Sequence, residues 1–182
     1  VPDLYIAWHA GKSSWKNYRS LNQKSIGIEI TNPGHEYGYK KFTQKQISSL
    51  LKLSRFLIKK YRINSKNILG HSDIAVERKK DPGEKFPWEY LSKNKIGFWH
   101  TLNKQELKEN RKLKISKIEK NTFFNNLFRI GYSKKYSKDK SRDEYLRELA
   151  KTFQRRFRQE LVDGKTDQEC LLISKNLIMS YD

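Results

Sequence analysis

The sequence predicts an α/β fold, a sheet covered by helices over residues 1–99, followed by a small three-helix domain over residues 121–182. Three observations carry this. Ser25 to Ile30 alternates polar and apolar side chains strictly, which is the period of a strand. Residues 43–61 repeat their apolar side chains at helical spacing. Near residue 100 the 182-residue chain turns polar and strongly charged, which divides it into two units.

In the first unit, Ile26, Ile28 and Ile30 share one face of the predicted strand, and Ser25, Gly27 and Glu29 share the other. Glu29 therefore stands beside a residue with no side chain to crowd it. It is either the exposed carboxylate of a half-buried strand or a general base held on a rigid element. Asn32-Pro33-Gly34 ends the strand with turn chemistry. Thr43 is the expected N-cap of a helix that buries Ile47, Leu50, Leu51, Ser54, Leu57, Ile58 and Tyr61. Lys52, Arg55, Lys59, Lys60 and Arg62 fill its other face and last turn, where positive charge suits the helix dipole. A short strand over 67–70 is expected to deliver His71 at its C-terminal end.

Residues 100–120 read as a charged linker with some helical character. Beyond it, Phe123, Phe124, Leu127, Phe128 and Ile130 suffice for a short buried helix over 121–132. Ser141 followed by Glu144 is the spacing of a capping box, ahead of Tyr145, Leu146, Leu149, Phe153 and Phe157. Asp163-Gly164 forms a turn, and Asp167 precedes a last helix holding Leu171, Leu172, Leu177 and Ile178.

The chemistry concentrates in Gly70-His71-Ser72-Asp73-Ile74-Ala75 and Arg78-Lys79-Lys80-Asp81-Pro82-Gly83. An imidazole and a carboxylate are donor types that catalytic Zn²⁺ sites accept, usually three protein donors with a fourth position left to water. His71 and Asp81 supply two. Lys79 can neutralise charge that develops on a substrate oxygen.

With Ala7-Trp8-His9-Ala10-Gly11, Ser25-Ile26-Gly27-Ile28-Glu29 and Phe86-Pro87-Trp88, these motifs stand in an order that resembles one family over residues 1–99. It is the zinc-dependent N-acetylmuramoyl-L-alanine amidases of type 2, relatives of the peptidoglycan recognition proteins. The resemblance implies a mixed central sheet flanked by helices, and hydrolysis of the amide between N-acetylmuramic acid and L-alanine in peptidoglycan or muropeptides. It implies Zn²⁺ held by His71 and Asp81, Glu29 helping to deprotonate the zinc-bound water, and Lys79 stabilising the oxyanion. Trp8 and His9 are either substrate-binding residues of the cleft wall or simple packing residues. The family's first zinc ligand is a His upstream of the Ala-Trp-His-Ala-Gly motif. The expectation is thus an N-terminally truncated chain whose third ligand comes from an upstream segment or a second chain. The rival expectation is a zinc-poor, inactive relative that only binds peptidoglycan. Val76-Glu77 stands where the family usually has Pro-Gly, which predicts a looser loop. Phe153 to Phe157 and Asp163 to Asp167 resemble the small peptidoglycan-binding modules appended to such amidases.

Net charge is +19, with 19 Lys+Arg against 8 Asp+Glu in residues 1–99 and 20 against 12 in the remainder. A basic surface spread over both halves fits a polyanionic wall, a membrane surface or a genome rich in Lys and Asn. No zinc-finger, RNP-type or helix-turn-helix signature accompanies it, so nucleic acid is not an expected partner. No apolar run approaches the length of a membrane span. Cys170, the single cysteine, excludes an internal disulfide and is expected to be buried. His35 and His100 fall outside the motifs and read as surface or loop residues. The expected location is the bacterial cell envelope, with the cytoplasm as the alternative.

Overall fold

The structure is a computed structural model that describes residues 1–2 and 5–180. It opens on a two-stranded antiparallel hairpin, β1 (Ser14–Trp15) and β2 (Tyr18–Arg19), with Trp15 opposite Tyr18. Seven α-helices follow among the described residues. They are α1 (Gln44–Tyr61), α2 (His71–Ile74), α3 (Trp88–Lys93), α4 (Lys104–Glu109), α5 (Lys117–Ile130), α6 (Arg142–Phe157) and α7 (Gln168–Met179).

The helix starts follow local chemistry. Thr43, Ser116 and Ser141 each close a reciprocal capping box, with Gln46, Glu119 and Glu144 respectively. Asp167 caps α7 by accepting from the Cys170 N–H. The first helix of the C-terminal half begins at Lys117, four residues earlier than its apolar side chains alone announce. Its cap, Ser116, lies inside the stretch read as a linker, as does α4.

The central sheet is corrected. Among the described residues the hairpin is the only sheet, and residues 25–30 run without a paired neighbour. Ile26 and Ile28 remain 48% and 39% exposed. Alternation reports the period of a segment, whereas a strand also needs a lateral hydrogen-bonding partner. The expected strand at 67–70 is likewise replaced, by a 3-10 turn (Ser65–Asn67) that leads through Ile68 and Leu69 to Gly70, the N-cap of α2.

Two apolar clusters hold the fold. In one, α1 lays Ile47, Leu50 and Leu51 against Phe86, Trp88, Leu91 and Ile96. The other joins Ala10, Trp15, Leu21 and Val76 to the inner faces of α5, α6 and α7, including Phe123, Leu127, Leu149, Phe153 and Leu177. Residues from both halves of the sequence thus share one core. α6 shows it most clearly. Tyr145, Leu149, Phe153 and Phe157 are buried as their spacing predicts, but so are Thr152, Gln154, Arg155 and Arg156. Burial of a complete helical turn requires neighbours on every side, and the His71 segment supplies one of them through Asp73.

Cys170 is buried and free, as expected. His100 lies in a loop, one of the two settings expected of it, but is buried there, 8% exposed beside Trp99. No helix among the described residues is long and apolar enough to cross a membrane.

Candidate active site

α2 spans a single turn, too short to persist on its own. It stands because its ends are tied. The Gly70 N–H donates to Asp73 Oδ2 at 2.8 Å, and the Ser72 N–H donates to the Asp81 carbonyl at 2.9 Å. The second bond clamps the two halves of the motif together. A side chain at Gly70 would meet Pro82 Cδ at 2.8 Å, so this close approach admits only glycine.

The clamp brings His71 Nδ1 to 3.0 Å from Asp81 Oδ2. His71 is the less exposed partner, at 21% of its side chain against 58% for Asp81. Burial opposes ionisation of Asp81. The hydrogen bond and charge of His71, with the nearby Lys79 ammonium, outweigh it and hold the carboxyl below its ordinary range. The Lys79 charge thus acts on the Asp81 carboxylate. On the other side of the imidazole, Nε2 lies 3.4 Å from both the Ala10 carbonyl and the Arg78 guanidinium. Arg78 also donates to the Ala10 carbonyl at 2.7 Å and to the Lys12 carbonyl at 3.3 Å. It thereby ties the 10–12 segment to the His71 loop.

The pair fits the donor chemistry of Zn²⁺. Two donors on a tetrahedral ion with bonds of about 2.0–2.1 Å stand roughly 3.3 Å apart, close to the separation of His71 Nδ1 and Asp81 Oδ2. Among the described residues no third His, Cys, Asp or Glu joins them.

Glu29, Trp8 and His9 make no hydrogen bond or ion pair with this pair. Glu29 is exposed and has no hydrogen bond or ion pair with His71, Lys79 or Asp81. Trp8 is 90% exposed. His9 packs closely against Gly27, bonded through Nδ1 to the Ala7 carbonyl at 2.9 Å and through Nε2 to Ser25 Oγ at 2.8 Å. Gly27 thus leaves room for His9. Trp8 and His9 immediately precede Ala10, whose carbonyl borders His71.

Five further residues shape the site and were given no catalytic or binding role from the sequence. Arg78 is one. Tyr39 is another, donating from its hydroxyl to the Pro82 carbonyl at 2.6 Å and accepting from the Lys85 N–H at 2.9 Å. Burial, with help from the Glu84 charge, pushes its hydroxyl up to about 12. His35 stacks on Tyr39 and bonds Glu84 at 3.0 Å. Gly83, at φ +80°, lets both rings close over the turn after Asp81. The fifth is Glu77. Its carboxylate accepts from the Ser137 N–H and hydroxyl at 3.1–3.2 Å, while Val76 enters the core. The Val76-Glu77 pair therefore anchors the loop, contrary to the looser loop expected of it. Only the spacing of the Arg78 and Gly83 motif signalled any of these.

The family profile for N-acetylmuramoyl-L-alanine amidase matches residues 1–84. Among curated relatives, the amidase AmiD of Escherichia coli is 33% identical over the whole chain, which spans 66% of its length. The 1,6-anhydro-N-acetylmuramyl-L-alanine amidase AmpD of Haemophilus influenzae is 41% identical over 88 residues, 47% of this chain and 46% of that protein. Among solved structures, a complex of E. coli AmiD with the substrate anhydro-N-acetylmuramic acid-L-Ala-D-γ-Glu-L-Lys superposes with a TM-score of 0.83 at 32% identity. The match covers all of this chain and 71% of that one. AmpDh3 of Pseudomonas aeruginosa gives the same TM-score and identity over 72% of its chain. With the fold shared end to end and the His71 and Asp81 motifs brought together within it, the chain belongs to the N-acetylmuramoyl-L-alanine amidase family.

Proposed function

We propose that this chain carries the hydrolytic site of a zinc-dependent N-acetylmuramoyl-L-alanine amidase, acting on muropeptides or peptidoglycan at the cell envelope. The observation that carries the proposal is the His71–Asp81 pair at 3.0 Å, with the Lys79 charge acting on it. The anhydromuropeptide bound by AmiD supports the substrate class. His71 and Asp81 would hold the ion. Bound Zn²⁺ supplies Lewis-acid polarisation and a water acidified to a pKa near 7. Glu29 takes the proton from the attacking water as general base. Lys79 neutralises the charge that grows on the scissile carbonyl oxygen. Arg78 keeps the imidazole edge facing Ala10, and Trp8 and His9 line the approach for the sugar and lactyl group.

A second reading keeps the fold and removes the reaction. It is a zinc-poor chain that binds muropeptide without cutting it. The observation favouring it is the lack of a third donor among the described residues. One experiment separates the two. The purified chain is analysed for zinc after dialysis in trace-free buffer, then incubated with anhydro-N-acetylmuramyl tetrapeptide with and without chelator. About one zinc per chain and chelator-sensitive release of the peptide support the amidase. In that case Glu29→Gln retains zinc and loses turnover. Binding of the muropeptide without zinc or cleavage selects the second reading.

A further inference from the structure

The C-terminal helical half grips the His71 segment at two points and the facing hairpin at a third. Asp73, in the single turn of α2 and 1% exposed, forms an ion pair with Arg156 of α6, itself 2% exposed. Its other oxygen accepts from the Tyr132 hydroxyl at 2.7 Å. Arg156 is held in turn. Its guanidinium lies over the Trp88 ring at 4.1 Å and the Phe98 ring at 4.7 Å, and it donates to the Ile68 carbonyl at 2.9 Å, just ahead of α2. Glu77, between His71 and Asp81, is the second grip, through Ser137. The third is on the far wall. Tyr132 packs edge-on against Trp15 at 5.0 Å, and the Lys16 N–H donates to the Gly131 carbonyl at 2.7 Å. The hairpin that follows the Ala10 segment is thus fixed to the same helices.

A one-turn helix has no rigidity of its own, so whatever fixes Asp73 fixes His71 two residues away. A side-chain network satisfied on both oxygens of a buried carboxylate holds one geometry. We propose that the helical half is a positioning element for the His71–Asp81 pair, acting through Tyr132 and Arg156 on Asp73 and through Ser137 on Glu77. This deepens the amidase reading and rests on it for the role of the pair. Tyr132, Arg156 and Ser137 are positioning residues. They touch neither the proposed ion nor the substrate, and they set where its donors stand. The helical half is then part of the site itself, whatever wall material it binds besides.

The test compares the full chain with Tyr132→Phe and Arg156→Lys. The first removes one oxygen and keeps the ring against Trp15; the second keeps the charge and removes the planar fork. Ser174→Ala is the control. It breaks the buried Asn126–Ser174 bond between α5 and α7, away from Asp73. Two quantities are read: zinc affinity by competition with a chromophoric chelator, and amide hydrogen exchange in the zinc-free protein at Gly70, Ser72, Asp73 and Ala75. The expected result is about 10-fold weaker zinc in both site variants, the low end of the loss seen when a direct partner of a metal ligand is removed, because these residues act one contact further out. Exchange at those four amides should rise about 10-fold or more while α5 and α7 stay protected. Ser174→Ala should change neither quantity at the site. Wild-type exchange at 70–75 in both variants would overturn the proposal, and so would an equal loss of zinc in the control. If the wild-type chain takes up no zinc, the amidase reading fails separately, and exchange alone decides. Loosening confined to 70–75 then upholds the positioning role, and its absence refutes it.

Discussion

His100 should make this protein lose stability between neutral pH and pH 5. Its ring is 8% exposed against Trp99, and its Nδ1 has no hydrogen-bond partner. Burial lowers its pKa from 6.5 to about 4, against the raising effects of the Glu89 charge and a hydrogen bond with the Phe157 backbone. The sign follows from proton counting. Between about 4 and 6.5 the unfolded chain binds a proton at this site and the folded chain does not, so stability falls as pH drops through that window. At about 1.4 kcal/mol per tenfold change, the full effect is about 3 kcal/mol, reached near pH 4. By pH 5 about 2 kcal/mol is already lost. Other groups titrate over the same range, so the measurement is a difference. Urea unfolding of the wild type and of His100→Gln is compared at pH 7.5 and pH 5. The stability gap between the two proteins should shift by about 2 kcal/mol in favour of the variant at the lower pH. Parallel pH profiles would refute the reasoning and mean that the folded protein charges His100 as readily as the unfolded chain does.

Lys79→Ala should lower kcat on an anhydromuropeptide by about 10²–10³, the cost of removing one oxyanion donor. A change confined to KM would remove Lys79 from that role. Gly27→Ala places a methyl 2.6–2.7 Å from His9 Cγ, Cβ and Cδ2. The ring must leave Ser25 and Ala7 at a cost of about 1 kcal/mol, visible as displaced His9 imidazole signals by NMR; unmoved signals would contradict the close packing. Arg111→Met removes the bidentate partner of Glu169, whose bonds measure 2.6 and 2.8 Å and whose carboxylate is nearly buried. Thermal unfolding should register a loss of about 3 kcal/mol, because a buried charge is left short of its partner.

What the sequence announced well was local. Thr43, Ser141 and Asp167 cap their helices through their own side chains, and the partners lie three residues away. The spacing of Tyr145, Leu149, Phe153 and Phe157 likewise fixes one buried face of α6 without knowledge of its neighbours. The alternating segment at Ser25 to Ile30 shows the limit. Its period is plain, yet a sheet depends on a second segment, and none among the described residues pairs with it. The same limit hides the second buried face of α6. Nothing in the spacing of Arg155 and Arg156 announces burial, yet Arg156 is enclosed by Trp88, Phe98 and Phe157.

The site divides along the same line. His71 and Asp81 lie ten residues apart and meet through a local clamp, so their motif sufficed to bring them forward. Arg156 reaches Asp73 from 83 positions away and Tyr132 from 59, distances at which no spacing rule operates. Their chemistry became visible only when the helices were placed. This also changes how the peptidoglycan-binding-like motif of the C-terminal half is to be understood. Gln154 accepts from the Asp163 and Gly164 N–H groups at 3.0 and 2.8 Å, and Arg158 pairs with Asp163 and Asp167. Gln154, Asp163 and Asp167, polar residues of the segments that carry the resemblance, are consumed in holding the 163–167 turn to α6. A glycan ligand would have to be met by other side chains of that half. A motif can therefore persist for the fold it builds, and its presence alone does not place a binding surface.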